Sequence, residues 1–98
     1  MDYIREKRVE KYLRGKVLSL GLLYLKFLPD LDPGMPDRII TLPESRVVWV
    51  ELKRPKGGRV AELQKYRHRQ LREQGHQVEI VWSEEDADAL ARKIAQYL

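Results

Sequence analysis

Two acids and a lysine in the middle of the chain are the residues whose types and spacing could do chemistry. Asp37 begins one run rich in branched aliphatic residues, Glu51 and Lys53 end the next, and a compact connection at 43–45 joins the runs. In an antiparallel hairpin centred on Glu44, Asp37 lies directly opposite Glu51. Because like charges destabilise a sheet there, the carboxylates need a bound cation, a basic neighbour or a shared proton.

Lys53 is two residues beyond Glu51 and therefore projects from the same face of the strand. An ordinary Glu51–Lys53 ion pair at a surface hairpin end is the alternative explanation. The preceding run at 47–50 is apolar at every position, which indicates a central strand covered on both faces. A charge at the end of such a strand has a desolvation cost. On these residues alone, both explanations stay open.

Three further polar residues occupy positions that point inward on predicted helices. Glu6 and Glu10 lie one turn apart on the flank of an apolar helix face, and Gln64 falls on the inward stripe of a second helix. Helix acids often pair with neighbouring cations such as Lys7 or Arg14, and Gln64 could be a satisfied half-buried amide. These alternatives also stay open.

The composition restricts the metal chemistry available to the chain. There are no cysteines, which excludes a disulfide framework, a thiolate zinc site and cysteine nucleophilic catalysis. The two histidines, His68 and His76, are isolated in the sequence; each is expected at a surface or capping position without a catalytic role. Carboxylates and carbonyls would have to bind any metal, which favours a hard cation such as Mg²⁺ or Mn²⁺.

Length and charge predict one small domain over residues 1–98, with a core that a second copy would help to stabilise. The net charge of +4 attracts polyanions, although solvated helix faces would explain the same cations. No segment is apolar enough to span a bilayer and the first residues do not form a signal peptide, so we expect a cytoplasmic protein.

Hydrophobic periodicity predicts an α/β fold with the order α-β-β-β-α-β-α, a mixed sheet flanked by helices. Proline and glycine indicate a loop at 29–36, and Ser83 with Asp86 resembles a capping box at the start of the last helix. The second helix shows Val60, Leu63, Arg67 and Leu71 on one side. The predicted helices are at about 3–20, 59–74 and from 83 onward, and the strands are at 22–28, 37–42, 46–53 and 77–82.

Several motifs together resemble the VRR-NUC nucleases, the virus-type replication-repair branch of the PD-(D/E)XK superfamily. The resemblance covers nearly the whole chain, and the combined order GxPD…VELK…GG…Q is more specific than the bare PD…ExK pattern. It implies a restriction-endonuclease-like sheet and a metal-dependent DNA nuclease. The matching segments are Gly34-Met35-Pro36-Asp37-Arg38, Val50-Glu51-Leu52-Lys53-Arg54-Pro55, Gly57-Gly58-Arg59 and Gln64.

The resemblance also implies roles for individual residues. Asp37 and Glu51 would ligate Mg²⁺ or Mn²⁺ with the backbone carbonyl of Val50, and Lys53 would orient the attacking water and stabilise charge on the phosphate. Gln64 matches the glutamine that the family carries on the helix after the core strands. An acid of the first helix would complete the catalytic site through metal-bound water. We choose Glu10 over Glu6, because its distance from Gly21 better fits the related resolvase pattern.

The partner implied by the resemblance is DNA, contacted mainly through its backbone. A homodimer would suit branched DNA such as a four-way junction, in the cytoplasm of a bacterial or virus-infected host cell. A flap or simple duplex substrate stays open, as do a catalytically silent nucleic-acid-binding module and a structural protein. The residues expected to contact DNA are Arg38, Arg54, Lys56, Arg59 and Lys65.

Overall fold

The structure is a computed structural model that describes residues 2–27 and 32–98, with side chains from Glu6 onward. Its order α-β-β-β-α-β-α confirms the predicted fold class. The strand predicted at 22–28 and the loop predicted at 29–36 lie partly outside the described residues. The elements are α1 (Asp2–Ser19), β1 (Leu23–Lys26), β2 (Arg38–Leu42), β3 (Arg46–Leu52), α2 (Glu62–Glu73), β4 (Gln77–Val81) and α3 (Glu84–Ala95).

The four strands form one mixed sheet in the order β1-β2-β3-β4. β1, β2 and β3 are antiparallel, and β4 runs parallel to β3. The β2–β3 hairpin has the predicted register, with Ile39 opposite Trp49 and Arg38 opposite Val50. One step further along the same register, Asp37 comes opposite Glu51. β3 is a central strand, as its apolar composition predicts.

The main core lies between the sheet and the helices α1 and α3. The inward face of α1 contributes Leu13 and Val17, β2 contributes Ile40 and α3 contributes Ile94, all with no exposed surface. Because side chains alternate along a strand, Val50 faces this core while Glu51 faces the other side of the sheet. The helix α2 lies on that other side.

The α2 helix differs most from the prediction. It begins at Glu62 and not at 59, and of the side predicted to be apolar Leu71 is buried whereas Leu63 is 47% exposed. The other buried residue of α2 is His68, which the apolar pattern does not include. Apolar spacing misplaces this helix because a polar residue, His68, takes an inward position above Glu51.

The last helix begins as the capping signal predicts. The side chain of Ser83 accepts a hydrogen bond from the backbone N–H of Asp86 at 3.1 Å. Within residues 2–27 and 32–98, no helix has the length and apolar character needed to cross a membrane.

Candidate active site

A cleft of about 330 Å³ lies at the end of the sheet, where β2 begins and β3 ends. Asp37 immediately precedes β2, and its Oδ1 accepts a hydrogen bond from the backbone N–H of Leu52 at 3.3 Å. Glu51 is 3% exposed and faces the cleft beside it. The lining residues are Glu6, Asp37, Glu51, Leu52, Lys53, Arg54, Gly57, Gly58 and Arg59.

Burial controls the protonation of both carboxyl groups. It raises the pKa of Glu51 to about 7; the charge of Asp37 acts in the same direction, while Lys53 opposes the rise. Burial likewise raises the pKa of Asp37, against the opposing effects of Arg38 and the Leu52 N–H. Two acids with raised pKa values at one cleft would be stabilised by a cation between them.

Gln64 holds Lys53 and Glu51 in a fixed arrangement. Its Oε1 accepts hydrogen bonds from Lys53 Nζ at 2.8 Å and from the backbone N–H of Ala61 at 2.9 Å. Its Nε2 donates to Glu51 Oε2 at 3.1 Å, and Lys53 Nζ lies 3.7 Å from the same oxygen. The amide therefore connects the lysine and the acid that strand alternation places on one face.

The two acids of α1 have different surroundings. Glu6 lines the cleft, and its charge raises the pKa of Asp37 and of Glu51. Glu10 is instead engaged in an ion pair with the guanidinium of Arg38. Arg38 also donates to the backbone carbonyl of Asp37 at 2.8 Å. The geometry thus places Glu6 at the cleft and gives Glu10 a supporting position behind Asp37.

The five cations expected to contact DNA divide into two groups. Arg38 is 7% exposed and forms an ion pair with Glu10, so it lies beneath the surface that DNA could reach. The other four are exposed: Arg54, Lys56, Arg59 and Lys65. Of these, Arg54 and Arg59 line the cleft itself.

The backbone at the end of β3 offers one carbonyl to the cleft. The N–H of Lys53 donates to Val81 on the β4 side at 3.0 Å. In a trans peptide the preceding C=O points the opposite way, so the carbonyl of Leu52 is directed toward Asp37. The carbonyl of Val50 has the same orientation, but it lies within the β2–β3 hydrogen-bond ladder, opposite Arg38. The carbonyl available to a cation is therefore that of Leu52.

The donor set fits a hard divalent cation. Asp37, Glu51 and the Leu52 carbonyl supply oxygen, the ligand type that Mg²⁺ and Mn²⁺ prefer. Within the described part of the chain, Glu51 Oε2 lies on the side of Lys53, which lines the cleft. Among the same residues no three acids or histidines are grouped closely enough to complete a metal site. Water would supply further ligands, as is usual for Mg²⁺.

The sequence prediction for His68 is wrong. We expected His68 at a surface or capping position, but it is buried. Its ring is 2% exposed, and its Nε2 lies 3.5 Å from Glu51 Oε1. The signal that could have found it is spacing, because His68 is one helical turn after Gln64 and shares its face. His76 packs edge-on against Trp49, with ring centroids 6.2 Å apart, and does not line the cleft.

Comparison with known proteins finds similar sequences and a similar fold. The chain is 35% identical over 85 residues to "Putative nuclease p44" of Acyrthosiphon pisum secondary endosymbiont phage 1, covering 87% of this chain and 90% of that protein. A solved structure described as "VRR_NUC domain" superposes with a TM-score of 0.81 at 30% identity, covering 90% of this chain and 95% of the other. No family model matches the chain.

The fold and the cleft define a nuclease of the PD-(D/E)XK type, in which two acids and a lysine meet at the end of a mixed sheet. Within that class the chain belongs to the VRR-NUC family.

Proposed function

We propose that the protein is an endonuclease that uses Mg²⁺ or Mn²⁺ to hydrolyse phosphodiester bonds in DNA. One observation carries the proposal: Asp37 and Glu51 face each other at a cleft beside a lysine that Gln64 holds in place. Family membership supports hydrolysis of nucleic acid, and the oxygen donors support the choice of ion.

Different residues of the chain have different roles in the proposed hydrolysis. Asp37, Glu51 and the carbonyl of Leu52 would hold the cation, which when bound would polarise the phosphate and make water more acidic. Lys53 stabilises the negative charge that develops on the phosphate and orients the attacking water. As water attacks phosphorus, the bond to the 3′ oxygen breaks and that oxygen gains a proton. The products are a 5′-phosphate and a 3′-hydroxyl.

Glu6 is the acid that we assign to the catalytic site from α1, in place of Glu10. It lines the cleft and interacts electrostatically with Asp37 and Glu51. A carboxylate at this position would accept a hydrogen bond from a water molecule coordinated to the cation. Glu10 is instead paired with the buried Arg38, which donates a hydrogen bond to the backbone carbonyl of Asp37.

Branched DNA, such as a four-way junction, is the substrate that we propose, in replication, repair or recombination. The exposed cations Arg54 and Arg59 line the cleft, and the exposed Lys56 lies between them in the sequence; all three can contact phosphates without reading bases. A homodimer of the single domain 1–98, acting in the cytoplasm, would present two clefts to the two cut strands. Its support is the edge strand β1, which exposes Leu23 and Leu25; sedimentation would measure the oligomeric state.

A cleavage panel tests the proposal. Four-way junction, flap, single-stranded and duplex DNA are incubated with the protein and either Mg²⁺ or Mn²⁺, or with a chelator. We expect cleavage with either ion, fastest on the junction, and none with the chelator. Asp37→Asn and Lys53→Met should bind the junction without cutting it, whereas the control Arg46→Gln, at the opposite end of β3, should cut. Binding of DNA by the wild type without cleavage in either ion would identify a silent binding module.

A further inference from the structure

His68 is a buried polar group that the proposed mechanism does not use. Its ring is 2% exposed, and its Nε2 makes no hydrogen bond to any described residue. An unsatisfied buried donor or acceptor destabilises a protein by about 1–3 kcal/mol. A histidine in this place therefore needs a polar partner.

The atom that faces it is equally unsatisfied. Glu51 Oε1 lies 3.5 Å from His68 Nε2, is buried, and makes no hydrogen bond within the described residues. The other carboxylate oxygen of Glu51 is on the opposite side of the group, where it accepts a hydrogen bond from Gln64 and lies 3.7 Å from Lys53. The two oxygens thus have separate surroundings, with His68 beside one and the Gln64–Lys53 pair beside the other.

We propose that His68 is a positioning residue for Glu51, in which the Nε2–H of a neutral imidazole donates to Glu51 Oε1. This hydrogen bond fixes the plane of the carboxylate and leaves Oε2 directed toward Gln64, Lys53 and the cleft. Carboxylates that bind metals are commonly held in this way by a second hydrogen-bonding group. The consequence for cation binding rests on the proposed function, whereas the hydrogen bond itself does not.

The hydrogen bond can be observed without metal or DNA. Long-range hydrogen–nitrogen correlation spectra of the metal-free wild type, in mildly alkaline solution, report which ring nitrogen of each histidine carries the proton. We expect His68 to be the Nε2–H tautomer, with a proton that exchanges slowly with solvent. The Nδ1–H tautomer would overturn the proposal, because Nε2 could not then donate to an ionised carboxylate.

Calorimetric titration with Mn²⁺ tests the positioning role. His68→Leu removes the donor and should weaken Mn²⁺ binding about 10- to 100-fold. His68→Gln places an amide N–H near the position of Nε2 and should restore most of the affinity. The matched control is His76→Leu, which removes the histidine outside the cleft and should bind Mn²⁺ like the wild type.

The two measurements separate failure of the inference from failure of the proposed function. Wild-type affinity in His68→Leu would overturn the positioning role while leaving the metal site intact. A wild type that binds no Mn²⁺ would contradict the proposed function, and the tautomer would still decide the His68–Glu51 contact. The tautomer measurement also decides the matter if His68→Leu fails to fold.

Discussion

At the residue scale, Glu51 combines burial with an adjacent acid, and this combination makes stability depend on pH. Its pKa is raised from 4.5 to about 7 in the folded protein. Between those values the unfolded chain releases its proton while the folded protein retains it, so rising pH favours unfolding. Below about 4.5 the group is protonated in both states and contributes no pH dependence.

The metal-free protein should therefore lose about 3 kcal/mol of unfolding free energy at Glu51 as the pH rises from about 4.5 to about 7. Urea denaturation of the wild type and Glu51→Gln across this range measures the effect as a difference between the two proteins. We expect the glutamine variant to gain stability relative to the wild type with increasing pH. A constant difference would show that Glu51 titrates normally in the folded protein.

The two acids of α1 should respond differently to the same substitution. Glu10→Gln removes one ion-pair partner of the buried Arg38 and should lower the free energy of unfolding by about 1–3 kcal/mol. The cleavage rate of the folded variant should stay close to that of the wild type. Glu6→Gln should slow cleavage without loss of stability, because it removes one of the three acids that line the cleft and so reduces the repulsion on Asp37 and Glu51. Denaturation measures the stability of the two variants, and single-turnover cleavage measures their activity. Slow cleavage by Glu10→Gln together with normal cleavage by Glu6→Gln would show that Glu10 is the catalytic acid of α1.

At the element scale, the turn after β3 brings two backbone segments so close together that Gly58 is required. A Cβ built at Gly58 lies 2.6 Å from the backbone oxygen of Arg54. Gly58→Ala should therefore displace the segment that follows Lys53, slow cleavage, and destabilise the protein by about 1–3 kcal/mol.

The matched control for this substitution lies within α1. A Cβ at Gly15 meets no atom within 4 Å. Gly15→Ala should stabilise the helix by about 0.5–1 kcal/mol and leave cleavage unchanged. Thermal denaturation and cleavage rates compare the two variants, and normal cleavage by Gly58→Ala would show that the turn does not position the site.

The hairpin was the part of the site that sequence could predict. Its turn and the period of two along a strand determine which residues face each other, so Asp37, Glu51 and Lys53 could be placed together from spacing. Helix orientation depends on contacts between distant segments. The spacing of residues in α1 does not show that Glu10 forms an ion pair with Arg38. In α2, the apolar spacing predicts that Leu63 is buried, whereas Leu63 is exposed and His68 is buried.

At the scale of the whole molecule, the exposed cations around the cleft should make DNA binding depend on salt. Removing one cation that binds a phosphate should reduce the slope of log affinity against log salt by about 0.9. Arg54→Gln and Arg59→Gln should each show this change in fluorescence-anisotropy titrations at several salt concentrations. Arg46→Gln is the control, because Arg46 lies at the opposite end of β3, roughly 17 Å of strand from Glu51. Equal changes in all three variants would mean that DNA does not bind at the cleft.

The measurement that tests the account most directly is single-turnover cleavage of a four-way junction in Mn²⁺ by the wild type and by Glu51→Gln. The substitution keeps the shape of the side chain and removes the charge that would hold the cation. We expect junction binding to be retained and the cleavage rate to fall at least about 100-fold. Cleavage by Glu51→Gln at the wild-type rate would contradict the assignment of this cleft as the active site.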